Sequence, residues 1–124
     1  MGEELRVDFG GVNFRHGWCE VRAGSGFKEV ECFWCEDAEW FCLSPHLSGT
    51  GWNITHLPTG TGLSTAGVEP ADALLPPLLF LAEMPVPWEM EDIEDLHLVL
   101  RSMDPELMAD FRALCREVGV VLDK

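Results

Sequence analysis

No lysine or arginine occurs between Glu29 and Leu100, a stretch of 72 residues that carries thirteen aspartates and glutamates. The flanks are close to balanced, with four residues of each sign over 1–28 and four basic against five acidic over 101–124. Nearly all of the net charge of −14 therefore belongs to the middle of the chain. A single-sign field of this size repels nucleic acid and anionic membrane and draws basic protein surfaces, because the summed field acts beyond individual contacts. Direct binding to nucleic acid or to a membrane is not expected.

An apolar run long enough to cross a bilayer is missing too. The longest, Ala73 to Ala82, is interrupted by Pro76 and Pro77 and falls short of the roughly 20 residues a spanning helix needs. The Met-Gly-Glu-Glu start lacks a basic segment leading into an apolar one, so no signal peptide and a cytoplasmic location are expected. Thr59-Gly60-Thr61-Gly62 lacks the lysine that follows a phosphate-cradling loop and reads as a turn. The glycine-pinned, oxygen-rich loop of a calcium site is absent, and no motif names a reaction. The expectation is a non-enzymatic protein without a cofactor. Five cysteines, an odd number without a secretory signal, read as reduced thiols rather than a disulfide framework.

What is present argues for a folded chain. A hydrophobic content of 47% with five Trp and seven Phe excludes the low-aromatic, highly charged composition of disordered segments. A length of 124 residues suits a single domain, 1–124. Leu5 to Phe9 alternates apolar and charged residues, the period of a half-buried strand, and Gly10-Gly11 supplies a turn. Val12, Phe14, His16 and Trp18 share one face of a second strand reaching about Arg22. A third runs from Phe27 to Cys35, with Val30, Cys32 and Trp34 on one face and Glu29, Glu31 and Phe33 on the other. Trp40 to Leu43 forms a fourth, and Trp52 to Leu57 suggests one more, paired across Pro58-Thr59-Gly60 with Thr61 to Thr65.

Beyond residue 68 the period changes. Pro70 suits a first helical position, and Pro76-Pro77 must break or restart a helix over about 70–84. Ile93, Leu96, His97 and Leu100 recur at helical spacing behind an acidic first turn. Asp104 is an N-cap, Pro105 a first residue, and Leu107, Met108, Phe111, Leu114, Cys115 and Val118 form a stripe that ends at Gly119. Strands over 1–65 followed by helices over 69–119 predict an α+β fold: an antiparallel β-meander of about four or five strands with C-terminal helices packed on one face.

Two constellations stand out. His16-x-x-Cys19 and Cys32-x-x-Cys35 have zinc-ligand spacing, with Cys42 and His46 as spare ligands. Residues i and i+3 of an extended strand point to opposite faces, so His16, Cys19, Cys32 and Cys35 share one metal only if each pair sits on a tight turn. A small zinc-binding adaptor or thiol-dependent enzyme built on this group is the alternative function. Cys32-Phe33-Trp34-Cys35 as a redox pair is disfavoured, since neighbouring carboxylates raise a thiol's pKa. The second constellation is acidic and aromatic: Glu29, Glu31, Glu36, Asp37 and Glu39 with Trp40, and Glu89, Glu91, Asp92, Glu94 and Asp95 with Trp88. Carboxylates arrayed like phosphates, with tryptophan anchors, suit a groove lined by Arg and Lys.

Trp52-Asn53-Ile54-Thr55-His56-Leu57-Pro58-Thr59-Gly60, followed by a helix rich in Ala and Leu and closed by Pro87-Trp88, resembles a layout of small phage and mobile-element proteins. Compact acidic chains of this kind also resemble anti-CRISPR and other anti-defence proteins. The resemblance implies an inhibitor without catalytic residues that mimics nucleic acid against a basic subunit of a defence complex. A phage-encoded chain of this kind would act in the host cytosol. Whether the chain is a monomer or pairs through its last helix stays open.

Overall fold

The computed structural model describes residues 6–9, 11–24 and 26–122, with the backbone alone for 6–9. Six strands run in chain order: β1 (Arg6–Phe9), β2 (Val12–Ala23), β3 (Gly26–Trp34), β4 (Phe41–Pro45), β5 (Trp52–His56) and the two-residue β6 (Thr61–Gly62). Each pairs antiparallel with the next, so the sheet is a meander in the order of the chain. Three helices follow: α1 (Leu75–Glu83), α2 (Ile93–Ser102) and α3 (Pro105–Val118). This is the α+β arrangement expected, with the β part leading. Leu5 and Gly10 of the first predicted strand and turn lie outside the described residues.

The helices begin where their sequences direct. Pro70 precedes a 3-10 turn over Ala71–Leu74, and Pro76 and Pro77 fall at the start of α1, where a proline's missing N–H removes no helical hydrogen bond. Asp92 and Asp104 cap α2 and α3, accepting from the Glu94 and Glu106 backbone N–H groups at 2.9 and 2.8 Å. Gly119 ends α3 in the left-handed region at φ 92°, with its N–H on the Cys115 carbonyl.

Two faces of the sheet are buried by two different means. Phe14, Phe33, Phe41, Leu43 and Ile54 form one face and join Leu74, Leu78, Leu81, Leu96, Phe111 and Cys115 of the helical part in one core. Full burial of each large aliphatic side chain there is worth about 1.5–3 kcal/mol. On the opposite face Val21, Cys32, Cys42, Ser44 and Thr55 are also buried. There the sheet closes on itself. β2 outruns the short β1, and its free edge meets the turn between β5 and β6: the Arg22 N–H donates to the Gly60 carbonyl at 2.8 Å, and Arg22 Nε donates to the Thr59 carbonyl at 2.9 Å. Gly60 stands at φ 72°, and a Cβ on it would lie 2.8 Å from the Glu20 carbonyl oxygen, so the closure requires glycine there.

Polar groups sealed in by this curl are satisfied. Ser44 Oγ and Thr55 Oγ1 lie 2.8 Å apart, and Asn53 Oδ1 accepts from the N–H groups of Ile54 and Ser64. His56, fully buried, ties the sheet to the segment leading into α2: Nε2 donates to the Trp88 carbonyl and Nδ1 lies 2.9 Å from Thr59 Oγ1. Trp88 Nε1 in turn donates to the Leu81 carbonyl at the end of α1. Among the described residues no helix is long and apolar enough to cross a membrane.

Burial lowers the His56 pKa below 6.5, and the hydrogen bond to the Trp88 carbonyl offsets only part of that. The neutral ring is the folded form, whereas the unfolded chain takes up a proton near pH 6.5. The His56 contribution to stability is therefore complete above pH 6.5 and declines as pH falls toward the lower folded pKa, by up to about 1.4 kcal/mol per pH unit. Urea denaturation at pH 7.5 and 5.5 should show this loss in the native chain. His56→Gln, which keeps a donor toward Trp88, should be less stable at pH 7.5 and lack that part of the slope; equal slopes for the two proteins contradict the assignment.

Candidate functional site

Strand parity decides which cysteines meet. Gly17 pairs with Cys32, Cys19 with Val30, Phe33 with Leu43 and Cys42 with Thr55, which places Cys19, Cys32 and Cys42 together on the self-closed face. Their three Sγ atoms all lie within 4.8 Å of one another, and Cys19 Sγ and Cys42 Sγ are 3.8 Å apart. Cys32 and Cys42 are 1% and 0% exposed, and Cys19 is half-buried. Gly17 leaves the space beside Cys19 for the Trp34 ring, which occupies the position a Cβ would take.

The expected tetrad of His16, Cys19, Cys32 and Cys35 does not assemble. His16 pairs with Phe33 on the helix-covered side and stacks against the Phe33 and Trp18 rings. Cys35 follows β3, ahead of the 3-10 turn Glu36–Ala38, and is buried in the main core. The backbone is extended through both spacings, so each i, i+3 pair is split between faces. Cys42, one of the spare ligands, takes their place. His46, the other, is engaged by Ser48 Oγ at 2.8 Å and the Ser64 carbonyl at 3.0 Å.

Mutual hydrogen bonding polarises the trio. Donation from Cys32, then from Cys42, draws the Cys19 thiol down to about 4 against the opposing effect of burial. The same bond to Cys19 pushes Cys32 up to about 12, and Cys42 is raised too. Within the trio the hydrogen bonds thus favour the thiolate on Cys19 over Cys32 and Cys42.

The acidic residues lie on the surface. Glu29, Glu36, Asp37, Glu39, Glu89, Glu91, Asp92, Glu94 and Asp95 are exposed, Glu31 is half-buried, and Asp92 serves the α2 cap. Among the described residues, the ion pair formed is Arg15 to Glu36 at 3.3 Å. Trp40 is half-buried against the core. Trp88 corrects an expectation: at 3% exposure, edge-on to Phe41 and bonded to Leu81, it is a core residue and offers no anchor to a partner.

The exposed aromatics are elsewhere. Trp18 and Phe27, 62% and 55% exposed, stand with Glu20 and Glu29 on the outer face of the β2–β3 hairpin. These four residues line an open cleft of about 480 Å³ whose other wall is Leu57, Pro58, Thr59 and Gly60, with Cys19 at its side. Glu20 and Glu29 are direct cross-strand partners, an arrangement in which like charges destabilise a sheet. Arg22 on the same face is held by the Thr59 carbonyl and lies 5.1 Å over the Phe27 ring. Glu20, Trp18 and Phe27 escape the reading of the sequence because alternation marks a face but not how far that face runs past its helical cover. The 12-residue length of β2 was the usable signal.

No family model, curated protein or solved structure matches the chain.

The thiol geometry predicts selective reactivity. Iodoacetamide should label Cys19 first in the folded protein, with a rate-versus-pH midpoint below the 9.0 of a free thiol, since alkylation needs the thiolate. Cys115, buried and pushed up to about 11, should stay unlabelled until the chain unfolds. Mass spectrometry of the labelled peptides reads this out, and a Cys19 midpoint at or above 9.0 contradicts it.

Proposed function

We propose that this chain is a non-enzymatic interaction protein that occupies a basic, nucleic-acid-binding surface of another protein and inhibits it by mimicry, in the manner of anti-CRISPR inhibitors of defence complexes. The observation that supports this reading best is the hairpin cleft. Glu20 and Glu29 face each other there as cross-strand partners, flanked by exposed Trp18 and Phe27. A carboxylate pair beside aromatic rings suits an arginine or lysine side chain, which gains charge-assisted hydrogen bonds from one and a cation–π contact from the other. The partner's cation also relieves the repulsion between the two glutamates.

The remaining acids extend the same chemistry. Glu31, Glu36, Asp37 and Glu39 continue along the sheet and its following turn, and Glu89, Glu91, Glu94 and Asp95 surround the start of α2. Exposed charges of one sign steer association and set its rate more than its final affinity. The cleft is the feature that adds shape to that field.

A short arginine-rich peptide is the direct probe. Binding, followed by calorimetry, should weaken steadily as salt rises from about 0.05 to about 0.5 M, where the Debye length shortens severalfold. Glu20→Lys with Glu29→Lys should weaken it about tenfold or more, while Glu91→Lys, Glu94→Lys and Asp95→Lys together should chiefly slow association. Asp92 is left in place because loss of the α2 cap costs about 1 kcal/mol of stability by itself. Salt-independent binding, or full binding by the folded Glu20→Lys, Glu29→Lys variant, removes the electrostatic mechanism.

A further inference from the structure

We propose that Cys19, Cys32 and Cys42 form a three-thiolate zinc site on the self-closed face of the sheet, with a fourth position left for an external donor. The three ligands come from three adjacent strands, β2, β3 and β4, and converge on one face of the sheet. A tetrahedral zinc with bonds of about 2.3 Å to sulfur holds its thiolates about 3.8 Å apart. Cys19 Sγ and Cys42 Sγ already stand at 3.8 Å, and no pair in the trio exceeds 4.8 Å. Zinc binding requires closing the wider separations by no more than about 1 Å.

The donor set selects the ion. Three soft sulfurs without a carboxylate among them exclude calcium and magnesium, which take hard oxygen ligands. Three thiolates leave one unit of negative charge around Zn²⁺ and two around Cu⁺, and within a closed sheet the smaller residual charge is the less costly. Zinc is therefore the better occupant. Among the described residues no other His, Cys, Asp or Glu joins the trio. The nearby Ser44 and Thr55 hydroxyls are bonded to each other.

Cys32 and Cys42 are sealed, whereas Cys19 is half-buried, so the fourth ligand has access beside Cys19. Water or an exogenous donor entering there completes the tetrahedron, the arrangement of zinc sites that retain an open position. The placement differs from a turn-based zinc knuckle in that the ligands sit on strands already fixed by the sheet, so metal is added to a folded scaffold.

Titration of the reduced, metal-free protein with Co²⁺, a spectroscopic stand-in for zinc, tests this. One equivalent should produce a thiolate-to-cobalt charge-transfer band and a tetrahedral visible spectrum, both abolished by one equivalent of Zn²⁺. Zinc should protect three cysteines from a thiol reagent and raise the unfolding temperature. Cys42→Ser and Cys19→Ser should each lower zinc affinity at least tenfold, while Cys35→Ser and Cys115→Ser leave it unchanged. Cys19 is half-buried, so its variant keeps the test decisive where the core variant Cys42→Ser fails to fold. Absence of a sulfur charge-transfer band, equal loss in Cys35→Ser, uptake of Cu⁺ with refusal of zinc, or recovery of a Cys19–Cys42 disulfide under the same reducing conditions overturns the assignment.

Discussion

The contact between the end of β2 and the turn at Gly60 is the constraint on which the other features depend. A six-strand meander left open would need two coverings, and the three helices supply one. By donating its Arg22 N–H to the Gly60 carbonyl, β2 turns the uncovered face inward. Val21, Cys32, Cys42, Ser44 and Thr55 are buried on that face. The edge of β2 beyond β1 would otherwise present unpaired backbone groups to solvent, the usual liability of an edge strand. Closure gives that edge a partner at Arg22 and sets the turn 57–60 as one wall of the cleft.

A second tie carries the closure to the helices. His56 sits at the end of β5, immediately before the turn that meets β2, and its ring connects Thr59 in that turn to the Trp88 carbonyl. Trp88 is bonded to the end of α1 and packs edge-on against Phe41 of β4. Sheet, turn and helical segment thus share one buried polar junction. Such a junction specifies one arrangement strongly because every unmade bond in it would leave a desolvated group without a partner.

Much of the fold was legible in the sequence. The alternation in 5–9, 12–22 and 27–35, the prolines at 70, 76 and 77, and the aspartates at 92 and 104 each act through local backbone physics, and the elements begin and end close to where those signals stand. The curl was not legible. Arg22 and Gly60 are 38 residues apart in the chain, and nothing local in either marks them as partners. On the face of β3 that Glu29, Glu31 and Phe33 share, Glu29 is exposed while Phe33 lies in the core. A strand that runs past its cover changes environment along its length while its period stays constant. The same limit hid the thiol site: parity separates His16 from Cys19 and Cys32 from Cys35, but recruiting Cys42 depends on the β3–β4 register, which only tertiary pairing sets. Trp88, flanked by acids at 89 and 91, looks like a surface anchor in sequence and is drawn inward by its bond to Leu81.

β2 serves two chemistries because its side chains alternate across a sheet with two different exteriors. Trp18 and Glu20 point into the cleft, and Cys19 between them points into the sealed face. Water screens the first pair, so their influence on a partner falls as ions accumulate around them. The thiols are enclosed by strands, where mobile ions do not penetrate and local hydrogen bonds govern which sulfur carries charge. On the proposed reading, salt would act on the outer face with little effect on the inner one, whereas a soft metal would act on the inner face first. Cys19 is the residue through which the two communicate, since it belongs to the trio and also borders the cleft. On the same proposed reading, a cation held by the trio would subtract from the field of Glu20 and Glu29, so metal binding on the inner face would weaken the attraction of the outer one for a basic partner.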